Sequence, residues 1–318
     1  MLYTQNLEEL IFHRHEIHSS DELIVLSGYL GPRPVARLSE LPFNSKVIYG
    51  MYGSEGIKTN LHNSLTRIQN ATPNLDIFYS QLPVHSKCYV WRKRGDIIHA
   101  LLGSANFSVN GLTTPFREVL AETTFDTFRP LNNYIQLVLN NSISCLEVGT
   151  ERIVEQTRDQ NQICLMTLLD RKGEVQKTAG LNWGQNPNNH TTRNDAYIAV
   201  RTSHIRKYPH LFSPKKVNPM VLDNRGRPRR HNDAIEIIWD DGLTMEGLLE
   251  GTQPVDGIKY PKQISSFPQK AQLGEYIRNR INVPLGQPVR KHHLERYGRT
   301  DIAVSLLAEG VYQFDFSV

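Results

Sequence analysis

Two short polar motifs sit at the ends of two apolar, β-branched runs, and they leave few ways to fold the chain between them. The first, His85-Ser-Lys87, opens a run that reaches Trp91. The second, Gly103-Ser104-Ala-Asn106, closes the run 97–102. Runs of this composition bounded by polar and Gly residues read as strands, so residues 84–91 and 97–102 are predicted strands. Residues two apart on a strand share a face. His85 and Lys87 are therefore expected to point the same way, as are Ser104 and Asn106 if the second strand runs on. Two adjacent strands would then converge an imidazole, an ammonium, a hydroxyl and an amide on one phosphate. The cation can neutralise non-bridging oxygens, the hydroxyl and amide can hydrogen-bond them, and an imidazole can attack or protonate.

The pattern resembles the phospholipase D superfamily, whose signature is H-x-K followed by G-S-x-N. Glu118, in Phe116-Arg-Glu-Val-Leu-Ala, follows Asn106 at a spacing similar to that of the bacterial nucleases of that superfamily. One departure is that the signature's Asp falls on Arg92. The resemblance to the superfamily covers roughly residues 1–150. With its second half, the chain resembles the NgoFVII/NgoAVII type of restriction endonuclease, similar to BfiI, which joins a phospholipase-D-like domain to a B3-like DNA-binding domain. The resemblance implies metal-free hydrolysis of DNA phosphodiesters. One His attacks phosphorus to give a phosphohistidine, and a second His protonates the leaving group. It makes His85, Lys87, Ser104, Asn106 and Glu118 the catalytic set, with Glu118 accepting the second ring N–H of His85. Glu122 is the other candidate for that acid. His99 is expected to be a packed or surface side chain.

The chain holds a single H-x-K; His204-Ile-Arg and His292-His293-Leu do not match it. The second His is therefore expected from another copy, in a homodimer formed through the catalytic domain. No cofactor and no metal are expected, since no carboxylate cluster suits magnesium. The resembling enzymes are associated with a separate ATPase, and no G-x-x-x-x-G-K-[ST] occurs here, so any ATP would act only through a different chain.

The expected architecture is an α/β phospholipase-D-like domain over 1–160 and a β-rich, B3-like pseudobarrel over 161–318. In the first half, strands at 22–29, 46–52, 76–79 and 119–123 interleave with helices at 7–18, 57–68 and 129–139, which argues α/β layers. The second half reads as short strands at 196–201, 234–239, 243–246, 302–307 and 311–316, with one helix at 269–281 stopped by Pro284. The B3-like label comes from the resemblance alone.

Charge divides the same way. Residues 1–160 carry 14 Lys and Arg against 16 Asp and Glu, a net −2, and residues 161–318 carry 22 against 16, a net +6. Affinity for double-stranded DNA is thus expected mainly in the second half. Segment 182–195 is rich in Asn, Gln and Arg, the side chains that read purine edges. By the resemblance it and segment 246–262 are the two arms that grip the major groove. Trp183, Arg193 and Asn194 are the candidates in the first, and Gln253, Lys259, Tyr260 and Lys262 in the second. The Arg-dense segment 223–230, with Lys215 and Lys216 before it, suits phosphates, Arg229 and Arg230 foremost.

Cys88, Cys145 and Cys164 are too scattered for a disulfide framework or metal knuckle, which fits a cytoplasmic protein. No membrane span, signal segment or amphipathic membrane helix is expected. The rival readings are a phospholipase-D-type lipid hydrolase, which needs an acyl-chain surface, and a non-catalytic DNA-binding regulator, against which the intact His, Lys, Ser, Asn and Glu set argues.

Overall fold

The computed structural model describes residues 1–154, 162–187, 191–215, 217–222, 226, 228–230 and 232–318, with strands Val217–Leu222 and Pro228–Arg230 described by backbone alone. Two compact units emerge: Met1–Thr157 with Leu307–Val311, and Arg158–Leu306 with Tyr312–Val318.

The first unit is built on a mixed eight-stranded sheet. Its elements in chain order are β1 (Leu2–Tyr3), α1 (Leu7–His18), β2 (Glu22–Ser27), α2 (Pro32–Arg37), β3 (Asn44–Tyr49), α3 (Tyr52–Glu55), β4 (Ile57–Lys58), α4 (Thr59–Ala71), β5 (Leu75–Ser80), β6 (Cys88–Lys93), β7 (Asp96–Gly103), α5 (Val109–Thr113), β8 (Leu120–Glu122), α6 (Phe125–Asn140), β9 (Ser142–Ser144) and β10 (Ile153–Val154). The strand order of the sheet is β1-β8-β7-β6-β2-β3-β5-β9, and β10 pairs apart from it with β4. β2, β3 and β5 run parallel, and β6 and β7 lie antiparallel beside β2.

Side chains alternate across the pleat. From β6, Val90 joins Ile24, Leu26 and Ile48 under Leu131, Ile135 and Val138 of α6. Tyr89 meets Phe107, and Phe107 stacks on Phe12 of α1. The sheet is thus covered on both faces, as its parallel strands β2, β3 and β5 require. α1 carries Glu8 and Glu9 in its first turn, where negative charge suits the helix dipole. The sequence pattern places α6 at 129–139. The helix instead begins at Phe125 and carries Pro130 inside it.

The second unit holds a seven-stranded sheet. Its described elements include β11 (Cys164–Thr167), β12 (Ile198–Ala199), β15 (Asp233–Trp239), β16 (Thr244–Glu250), β19 (Gln263–Ser266), α8 (Ala271–Arg280), α9 (Lys291–Tyr297), β20 (Asp301–Ala308) and β21 (Val311–Asp315), while α7 (Thr202–Lys207), β13 (Val217–Leu222), β14 (Pro228–Arg230), β17 (Gln253–Val255) and β18 (Ile258–Tyr260) stand outside the sheet. The sheet order is β11-β20-β21-β15-β16-β19-β12. Cys164 and Met166 from one end strand and Ile198 from the other share one core with Ile237, Trp239, Leu273, Ile277 and Phe314. A flat sheet could not bring its two ends into one core, so this sheet curls into a pseudobarrel that the end strands leave unclosed. The expected helix at 269–281 is α8; α9 and β11 carried no clear signal in the sequence.

Candidate active site

β6 begins at Cys88, so His85-Ser-Lys87 lies on the extended segment leading into it and not within a strand. The reason lies in the pairing: β2 pairs with β6 only as far as Leu26 opposite Cys88, which leaves residues before 88 without a partner on β2. Cys88 is buried in the core under α6, and burial pushes its thiol up to about 11. Gly103 ends β7, and its N–H donates to the Lys87 carbonyl at 3.2 Å. That bond ties the two motifs together at their backbones.

Lys87 Nζ lies 3.0 Å from His85 Nε2 and donates to the His85 carbonyl at 2.6 Å. An ammonium has only protons to offer, so with Lys87 charged Nε2 is the acceptor of this contact. His85 is exposed, whereas Lys87 is 6% exposed. Burial pulls the Lys87 pKa down, and the Glu309 and Glu118 carboxylates oppose that shift. Asn106 is buried, and its Nδ2 donates to Glu309 at 3.2 Å. Glu309 belongs to the turn Leu307–Val311 of the same unit and also pairs with Arg117 at 3.0 Å. Ser104 is exposed; its N–H donates to the Val119 carbonyl at 2.9 Å, and its Oγ accepts the Val119 N–H at 3.1 Å.

Glu118 lies 3.5 Å from Arg117 Nε and makes no hydrogen bond to His85. Glu122 faces away from the site, bound by the Tyr3 hydroxyl at 2.7 Å and by Arg14. His99 is buried against Trp91 and His18 and accepts from Arg14 Nε at 3.0 Å; burial holds its pKa near about 4. It is a packed side chain, as expected.

Residues 5–165 match the family described as the NgoFVII restriction endonuclease N-terminal PLD domain. The chain belongs to the NgoFVII restriction endonuclease family. Residues 156–308 match the NgoFVII C-terminal B3-like DNA-binding domain. The protein is therefore a DNA nuclease in two parts, a phospholipase-D-like domain followed by a B3-like DNA-binding domain. No curated protein sequence matches the chain closely. Among solved structures it is similar to NucT from Helicobacter pylori, at 20% identity over 44% of this chain and 90% of that one, with a TM-score of 0.33. It is also similar to polyphosphate kinase from Porphyromonas gingivalis, at 11% identity over 45% and 23%, TM-score 0.32. A third likeness is to a phospholipase D family member, Nuc from Salmonella typhimurium, at 13% identity over 40% and 84%, TM-score 0.29.

In the B3-like half, several candidates named from the sequence turn out to have internal partners. Asn194 donates to Glu275 at 3.1 Å and accepts the Gly286 N–H at 2.7 Å. Gln253 donates to the Val200 and Pro261 carbonyls at 2.7 and 2.9 Å. Trp183 is half-buried, edge-on to Tyr197, and Tyr260 packs on the core. Arg193, Lys259 and Lys262 are exposed. Arg229 and Arg230 sit on β14, and their side chains lie outside the described residues, as does Lys216. Lys215 is buried and donates to Asn232 at 2.8 Å.

A cavity of about 650 Å³ opens in this unit between residues 167–181 and 197–203, with Gln253 on its wall. Exposed Arg171 and Lys172 and half-buried Arg201 line it. Sequence reasoning passed over these residues because the loop 170–174 lacks the Asn/Gln density that marked its neighbour. Asp170 shapes that loop by accepting the Lys172 and Glu174 N–H groups at 2.8 and 3.0 Å. Among the described residues, no group of three or more His, Cys, Asp and Glu could hold a metal ion, and no helix is long and apolar enough to cross a membrane.

Proposed function

We propose that this nuclease hydrolyses the DNA phosphodiester without a metal ion, through a phosphohistidine on His85. The observation that carries the reading is the Lys87 ammonium 3.0 Å from a His85 Nε2 that presents its lone pair. On arrival of the substrate, Lys87 would transfer its hydrogen bond to a non-bridging oxygen and free Nε2 to attack. The N–P bond forms as the P–O bond to the leaving strand breaks. The leaving oxygen takes a proton from a second imidazole. Water then attacks phosphorus, gives a proton back to that imidazole, and breaks the N–P bond. Asn106 Nδ2 and Ser104 serve the equatorial oxygens, as such donors do at other developing oxyanions. Glu118 lies close enough to support the Lys87 charge.

Among the described residues the site offers one imidazole, so the second is assigned to another copy in a homodimer built through residues 1–160. Residues 161–318 are assigned to recognition. Arg193, Lys259, Lys262 and the cavity cations would contact DNA, with Arg229 and Arg230 on phosphates. Any ATPase would be a separate chain, and the cytoplasm is the proposed location.

One experiment tests the core of this reading. Plasmid is incubated in EDTA with wild type, with His85→Ala, and with mixtures of the two. The expected result is cleavage by wild type, none by His85→Ala, and activity in mixtures below simple dilution. Strict dependence on added Mg²⁺ would overturn the mechanism, and full activity from a verified monomer would overturn the shared site.

A further inference from the structure

The turn that closes β2, from its last residue Ser27 through Gly28 to Tyr29, belongs to neither motif, yet it touches both. A Cβ on Gly28 would lie 2.6 Å from His85 Cδ2, 3.3 Å from Nε2 and 3.4 Å from Lys87 Nζ. The imidazole and the ammonium therefore fill the space that a side chain here would occupy. Ser27 is fully buried; its Oγ accepts the Phe107 N–H at 2.9 Å and donates to the Tyr29 carbonyl at 2.6 Å. The Tyr29 N–H donates to Asn106 Oδ1 at 3.3 Å. With Oδ1 engaged by Tyr29, Nδ2 is the donor end of the amide; one of its protons goes to Glu309 at 3.2 Å and the second is left for a phosphate oxygen.

His85 is exposed, and among the described residues its Nδ1 has no hydrogen-bond partner. Beyond the Lys87 contact at Nε2, the rest of the ring is held by packing. Tyr29 supplies it: the two rings meet at 75° with centroids 5.7 Å apart. The phenol donates to Glu55 at 3.0 Å, which anchors its far end. Burial and the Glu55 carboxylate push the phenol up to about 12, so it stays a donor throughout the neutral range.

We propose that Ser27-Gly28-Tyr29 is the positioning element of the active site, in which Tyr29 sets the ring plane of His85 and the turn fixes the orientation of the Asn106 amide. The proposal rests on the reading of His85 as nucleophile. A nucleophile displaced by about 1 Å loses about a hundredfold in rate, so a residue that touches no substrate can still govern kcat.

The test compares Tyr29→Phe, Tyr29→Leu, Gly28→Ala and His85→Ala in the full chain. Cleavage is measured for kcat and KM separately, and ¹⁵N-histidine spectra report the imidazole tautomers, with the His85 signal assigned by its loss in His85→Ala. Tyr29→Phe keeps the ring and should keep kcat within about threefold. Tyr29→Leu should lower kcat about a hundredfold at unchanged KM, and its His85 signal should show both tautomers. Gly28 is not among the glycines with positive φ, so alanine fits the backbone there and only the imidazole must give way. Gly28→Ala should thus fold normally and lose kcat alike. Wild-type kcat and an unchanged His85 signal in both Tyr29→Leu and Gly28→Ala, beside an inactive His85→Ala, would overturn the proposal alone. An active His85→Ala would overturn it together with the reading beneath it.

Discussion

Lys87, the cation of the proposed mechanism, is a side chain whose burial weakens the fold that holds it. At 6% exposure its ammonium has lost most of its water, and its pKa is pulled down for that reason. A group whose charged form is disfavoured by folding costs stability wherever it stays charged. Lys87→Gln should therefore raise or leave unchanged the melting temperature at pH 7 while cleavage falls by about 10²–10³-fold. Melting curves and single-turnover cleavage on the same preparation check both. Glu122 is the opposite case. The Tyr3 hydroxyl bond, with Arg14 and despite some burial, holds its carboxyl at about 2, below the ordinary 4.5. Its folded pKa is depressed, so its contribution is present above about 4.5 and is lost as pH falls toward 2. Glu122→Gln should lower the melting temperature at pH 7, and the gap from wild type should close as the pH drops through that window. A gap independent of pH would mean that packing and not charge is at stake.

At the scale of elements, the glycine of Gly103-Ser104-Ala-Asn106 explains itself through β8. A Cβ at Gly103 would lie 1.9 Å from the Val119 carbonyl oxygen and 2.9 Å from its carbon. Both obstructing atoms are backbone, so no side-chain rotation relieves the clash, and the start of β8 would have to move. Ser104 bonds twice to Val119, and Glu118 precedes it. Gly103→Ala should thus destabilise the protein by about 1–3 kcal/mol, as overpacking does, and impair cleavage because Ser104 moves with its partner. Urea unfolding and cleavage rates give the two readouts; wild-type stability would show that β8 yields freely. The two motif runs were legible as strands, since apolar, β-branched composition is a local signal; their antiparallel pairing is shown by the structure. The placement of His85 and Lys87 just outside the ladder was not, because it depends on where β2 stops pairing with β6.

For the whole molecule, the question is which cations in the B3-like half read sequence and which only hold phosphate. The cavity wall carries exposed Arg171 and Lys172, and Arg193 stands exposed outside it. Binding is best followed in full-length His85→Ala, which should bind without cutting. Arg171→Ala with Lys172→Ala should weaken cognate and random duplexes alike and reduce the salt slope by about 0.9 for each phosphate no longer neutralised. Arg193→Ala should weaken the cognate site by about 1–3 kcal/mol and relax preference at one base pair. Equal weakening on cognate and random DNA for Arg193→Ala would place it among the residues that hold phosphate.

The sequence by itself determined the two polar motifs and the strands that carry them, the α/β order of the first half and the β-rich character of the second. These follow from residue type, spacing and periodicity, which are written along the chain. It could not determine which polar side chains of the second half remain available to DNA. Asn194 and Gln253 look like base readers by composition, yet their amides satisfy backbone groups and a glutamate in the folded unit. A buried carbonyl or N–H must find a partner, and which amide supplies it depends on segments distant in sequence. Nor could it show that the Ser27-Gly28-Tyr29 turn, far upstream of both motifs, lies against His85 and Asn106. That proximity exists only because β2 and β6 are neighbours in the sheet. Pairing across the sheet is a property of the closed tertiary structure, set by the burial of both faces at once and by no single stretch of chain.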